Sequence, residues 1–265
     1  MAPSSQFQFP RPGPVMKWTL ISLFAIWLIY ALGLNWFGMP AQWFEIFTAQ
    51  PADILHGELW RLFTASLLQE PRHTVSPIIF ALLGIYFLGC SLEESWGGKR
   101  FLYFMVLSGA LSYLVQAIFA VVIPGAISAR LTTAPYFGTM PVVSAIAVAW
   151  ALSFRGQTVR LFFALPVSST LLLWFVIGAT VLGAIADEQS YAGRIALFSG
   201  LGWGYLLGGS QPSPLRKLYL QLRLKQLERE VSREKNYRKK KLKKSGLQVV
   251  SGGKDDDSKP GKTLN

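Results

Sequence analysis

Cysteine occurs once in this chain, at Cys90, and histidine only twice, at His56 and His73. A single thiol excludes an internal disulfide and leaves the redox compartment open; inside an apolar run, Cys90 reads as a small buried hydrophobe. Neither histidine has a cysteine or carboxylate cluster at ligand spacing, so no metal site is expected. A glycine-rich phosphate loop followed by Lys-Ser or Lys-Thr is missing too, and no cofactor is implied. Charge is also scarce. Asp, Glu, Lys and Arg are 15% of the residues while the net charge is +12, so the ionic and apolar parts must be segregated.

Hydrophobic residues make up 51% of the chain, and six apolar runs of roughly membrane-crossing length precede residue 210. They are Lys17 to Phe37, Ser76 to Leu92, Phe101 to Ile123, Gly138 to Phe154, Ser168 to Ala186 and Gly193 to Gly209. The second and fourth are short for a crossing, which fits helices sheltered by protein. The first is too long for a signal peptide and lacks a small-residue cleavage site, so a retained helix is expected.

From Gln211 onward, 16 Lys and Arg face 6 Asp and Glu, which is +10 of the total +12. The cation-rich side is expected to be cytoplasmic. That places the tail, the amino terminus with Arg11 and Lys17, and the loop with Arg155 and Arg160 on one side of an even number of spans. Glu45, Asp53, Glu58, Glu70, Asp187 and Glu188 fall on the other. The long first connection is rich in Trp and Phe, and short interfacial helices are expected there. Leu220, Leu224, Leu227 and Val231 recur at heptad-like spacing among Lys and Arg, so the tail reads as a basic amphipathic helix. Arg238 to Lys244 follows directly. Anionic lipid is the first expected partner of this tail, then self-association, with RNA less favoured.

The resulting division is a disordered stretch over 1–15, a six-helix membrane domain over 16–210, a basic cytoplasmic helix over 211–244 and a disordered end over 245–265. The fold class is all-α. Gly200, Gly204 and Gly208 form a stripe without side chains, and Ala145 and Ala149, one turn apart, offer a matching smooth face.

Three groups of residues carry a family likeness. They are Gly57-Glu58-Leu59-Trp60-Arg61-Leu62-Phe63-Thr64, then Leu92-Glu93 with Gly97 and Arg100-Phe101, then the glycine stripe. In this order they resemble the rhomboid intramembrane serine proteases, over about Ile46 to Gly209. The resemblance implies a bundle with a central fourth helix packed on the sixth. It also implies a serine at the position of Met140, within Gly138-Thr139-Met140-Pro141, and a histidine at that of Leu197. Oxyanion donors would stand at Pro77 and Ala81. None of these side chains can perform the expected chemistry. Ser144 and Ser199 offer hydroxyls but no base. The expectation is therefore an inactive, rhomboid-like pseudoprotease that binds or escorts transmembrane clients in the lipid bilayer. An active peptidase with a non-standard dyad and a scaffold acting through its tail are the alternatives.

Overall fold

The computed structural model describes residues 11–72, 75–123, 131–154, 156, 158–161, 165–186, 193–208 and 214–244. His73, Arg155, Asp187 and Glu188 lie outside the described residues, as do residues 1–10 and 245–265 of the two ends for which disorder is expected; Pro14 and Val15, within the expected disordered stretch, are already helical. The chain divides into two units, Met1–Leu215 and Arg216–Asn265. The first is a helical bundle.

Helix α1 (Pro14–Asn35) starts on a proline, whose missing N–H costs nothing in a first turn. It buries only Met16, Leu23 and Gly33 and leaves Trp18, Ile21, Phe24 and Ile29 exposed, the surface of a helix facing hydrocarbon. Three short helices follow, α2 (Gln42–Glu45), α3 (Pro51–Leu55) and α4 (Trp60–Thr64), then a 3-10 turn over Ala65–Leu67. Helices α5 (Ser76–Trp96) and α6 (Gly98–Val122) are separated by Gly97 alone, whose φ of 83° turns the chain where a side chain would be strained. Together with α1, these two are long and apolar enough to cross a membrane.

Helix α7 (Met140–Ser153) is only 14 residues long, and ten of them are buried. It sits at the centre, packed on α5, α6, α8 (Ser169–Ala186) and, most extensively, α9 (Arg194–Leu207). Both α7 and the Ser169–Leu182 part of α8 are apolar but short of the length of the first three. The architecture is mostly helical, and between α7 and α8 it includes one brief strand pair. Thr158–Leu161 (β1) and Leu165–Ser168 (β2) pair antiparallel, with Val159 opposite Val167. The β-branched Thr158, Val159 and Val167 favour extended backbone, and a strand pair this brief carries too little periodic pattern to stand out from a loop.

The second unit contains most of α10 (Pro214–Lys244), a 31-residue helix whose described side chains, Tyr219 to Tyr237, are all exposed.

Candidate functional site

The seam between α7 and α9 is the most extensive helix contact among the described residues. A Cβ placed on Gly200 would collide with the Pro141 carbonyl, one on Gly204 would stand 2.6 Å from the Ala145 carbonyl oxygen, and one on Gly208 would press on Ala149. Backbones this near require glycine on one side and small residues on the other. Met140 opens α7, half-buried, and Leu197 lies three residues before Gly200 on α9, also half-buried. Pro77 and Ala81 stand on the first turns of α5, Ala81 fully buried. No hydrogen bond joins Ser144 to Ser199 among the described residues. His56 ends α3 with its side chain exposed, and no three His, Cys, Asp or Glu side chains cluster among the described residues.

Two helix starts lack a side-chain cap of their own and take one from another helix. The N-cap of α1 is Gly13, and the Glu93 carboxylate of α5 accepts from the Val15 and Met16 amides at 3.0 and 3.1 Å. The N-cap of α9 is Gly193, and Gln116 Oε1 of α6 accepts from the Ala196 amide at 3.1 Å. Orphan amides inside an apolar bundle would each cost several kcal/mol, so these acceptors position the helices that they cap. Gln116 also bonds Tyr136, and this holds down in part the rise that burial gives to the phenol's pKa.

The short helices are locked by Arg61. Its guanidinium pairs with Asp53 at 3.0 Å and with Glu58, and donates to the carbonyls of Glu45 and Thr48 at 2.6 and 3.1 Å. Its neighbour Trp60 is half exposed, and Arg100 lies over the Trp96 ring, 4.7 Å from its centre. The stretch before α7, Tyr136 to Thr139, is tied down from three sides. Tyr113 donates to the Gly138 carbonyl at 2.6 Å, Thr139 to the Ser66 carbonyl at 2.8 Å, and the Ala49 amide to the Tyr136 carbonyl at 2.7 Å.

These ties leave a groove of about 510 Å³ between α1, the 3-10 turn, α5, α6 and the start of α7. Trp18, Phe63, Ile85, Met105 and Val142 line it. Three of the four hydroxyls on its wall are already engaged: Thr19 donates to the Val15 carbonyl, Ser66 to that of Phe63 and Thr139 to that of Ser66, which leaves the exposed Ser22 of α1. The wall thus offers apolar surface and almost no directional donors, which fits an apolar occupant and no acid or base chemistry. Sequence inspection does not find this groove, because its walls come from segments far apart in the chain, each ordinary by itself.

A family pattern described as a eukaryotic integral membrane protein, DUF1751, matches residues 15–207. The chain belongs to that family. No curated protein matches it. This overturns the resemblance to the rhomboid proteases. The residues that carried that likeness, Arg61, Glu93, Gly97 and the stripe Gly200, Gly204 and Gly208, perform packing tasks that any tight membrane bundle shares. The residues specific to the protease chemistry are the ones this chain lacks. Met140 and Pro77 stand in the first turns of α7 and α5, and Ala81 and Leu197 lie within the first two turns of α5 and α9.

Proposed function

We propose that this integral membrane protein holds apolar segments of other membrane proteins, the bilayer-embedded clients, in the groove beside α1 and α6, without catalysing a reaction on them. The observation that carries this reading is the groove itself, whose volume lies in the range of built binding sites while three of its four wall hydroxyls, all but that of Ser22, are internally bonded.

In this reading α1, α5, α6, α7, α8 and α9 all cross, and both termini are cytoplasmic, as the distribution of Lys and Arg favours. A helix of 14 residues such as α7 is about 21 Å long, against about 30 Å of hydrocarbon. Its central burial removes the mismatch with lipid that would otherwise oppose this. The basic run Arg238 to Lys244 adds attraction to anionic headgroups on the cytoplasmic leaflet, about 1 kcal/mol for each cation near the surface.

Photo-crosslinking from the full chain in native membranes tests the groove. A photoreactive residue at Val106, on its wall, is expected to capture membrane proteins, and one at Val122, 69% exposed and outside it, is not. Capture of lipid alone from Val106, or equal protein capture from both sites, overturns the reading.

A further inference from the structure

Helix α10 carries an unpartnered seam with a charge code beside it. Leu220, Leu224, Leu227 and Val231 are 41%, 58%, 48% and 49% exposed, on a helix whose other described side chains are polar or charged apart from Tyr219, Leu222 and Tyr237, which stand off this seam. Their spacing of four, three and four is that of successive d, a, d and a positions of a heptad. Lys217 and Glu234 occupy the next positions before and after, and end the seam. In this register Arg223 and Glu230 are g positions, and Glu228 and Lys235 are the e positions five residues further on. In a parallel pair of helices, g of one chain faces the following e of the other. Arg223 then meets Glu228 of a second copy and Glu230 meets Lys235, both of opposite sign. None of the four forms an ion pair within its own chain among the described residues.

We propose that α10 pairs in parallel with α10 of a second copy of this chain, through Leu220, Leu224, Leu227 and Val231, with Arg223–Glu228 and Glu230–Lys235 cross-pairs setting the register. Four apolar layers are too few for a firm dimer of free peptides. Anchorage supplies the rest: residues 208–213 separate the end of α9 from the start of α10, so two copies in one membrane present their tails at high effective concentration. Anchorage also decides the orientation, because copies inserted the same way leave the membrane with their helices pointing the same way. An antiparallel pair would set Arg223 against Glu230 but leave Glu228 facing Gln221. The inference uses membrane anchorage only and is independent of the groove's occupant.

The test uses the full chain reconstituted in phosphatidylcholine vesicles, with oxidative crosslinking at an introduced cysteine and the unsubstituted chain, holding only buried Cys90, as background. Leu227→Cys is expected to crosslink as a dimer about tenfold faster than Gln226→Cys, one residue off the seam. In the Leu227→Cys background, Glu230→Lys and Lys235→Glu each turn two symmetry-related attractions into repulsions, and each is expected to lower dimer yield about tenfold. The double variant Glu230→Lys, Lys235→Glu restores it. Equal crosslinking at 226 and 227, or a double variant no better than the singles, overturns the proposal. So does loss of the Leu227→Cys dimer in phosphatidylserine vesicles, with Glu230→Lys strengthening lipid attachment, since the seam's occupant would then be the anionic surface.

Discussion

Gly204 and Ala145 touch backbone to backbone: a single added methyl on the glycine would stand 2.6 Å from the alanine's carbonyl oxygen and 2.8 Å from its Cα. Two residues along the same helix, Gly202 has nothing within 4 Å of the place where its Cβ would be. The pair makes an internal control. Gly204→Ala is expected to destabilise the bundle by about 1–3 kcal/mol, because backbone cannot move aside as a side chain can. Gly202→Ala is expected to stabilise it by roughly 0.5–1 kcal/mol through helix propensity. Thermal unfolding of the detergent-solubilised chain reads both, and a loss of stability in Gly202→Ala as large as in Gly204→Ala would show that the seam is not the constraint.

Glu93 gives a second prediction, about how α1 is held. Its carboxylate accepts from the Val15 and Met16 amides and lies against Gly13, where an added Cβ would strike it. Glu93→Ala removes both acceptors and is expected to cost about 2 kcal/mol. Glu93→Gln keeps one acceptor oxygen and should lose about half as much. Hydrogen exchange localises the effect: the Val15 and Met16 amides should exchange faster in Glu93→Ala, while those of α9 stay protected. Uniform acceleration across the bundle would mean that Glu93 serves the core as a whole.

Arg61 predicts the fate of the short helices between α1 and α5. Removing its guanidinium leaves Asp53, Glu58 and the carbonyls of Glu45 and Thr48 without their shared donor. Fully buried pairs broken on one side cost about 3–5 kcal/mol. Asp53 and Glu58 are about one-third exposed, so water screens part of the loss and about 2 kcal/mol is expected for Arg61→Ala. Arg61→Lys cannot span two carboxylates and two carbonyls and should recover little. Limited proteolysis should cut residues 41–67 in both variants before any site in α5 or α6.

The parts of this fold visible in the sequence are those with a repeating pattern or a hard chemical limit. Apolar runs mark α1, α5 and α6 to within a few residues, Pro14 and Pro77 sit where helices begin, and the leucine spacing marks α10. The β1–β2 pair lacks enough length to register. Glu93 and Gln116 illustrate a different limit. Both act on helix starts 77 and 80 residues away in sequence, at Met16 and Ala196, and no local pattern encodes which helix a polar side chain will cap. The same holds for the groove, which exists only once α1 packs beside α6 and Thr139 bonds to Ser66. The rhomboid likeness misled for a related reason: a buried arginine, a capping carboxylate and a glycine stripe report close packing, and close packing is shared by many membrane bundles.

Serine chemistry supplies the last prediction. The Ser66, Ser108 and Ser112 hydroxyls donate to the carbonyls of Phe63, Met105 and Ser108, the last at 2.7 Å, and Ser144 is buried on α7 with no hydrogen bond to a histidine among the described residues. A hydroxyl without a neighbouring base remains a poor nucleophile at neutral pH, and bonding its proton to a carbonyl does not draw the proton off. The purified chain is therefore expected to show no fluorophosphonate labelling above a heat-denatured control, at neutral pH or at pH 9. Since His56 ends α3 with its side chain in the open, His56→Ala should leave that baseline unchanged. Labelling that disappears in Ser144→Ala but survives in Ser66→Ala would identify a reactive serine on α7 and end the non-catalytic reading.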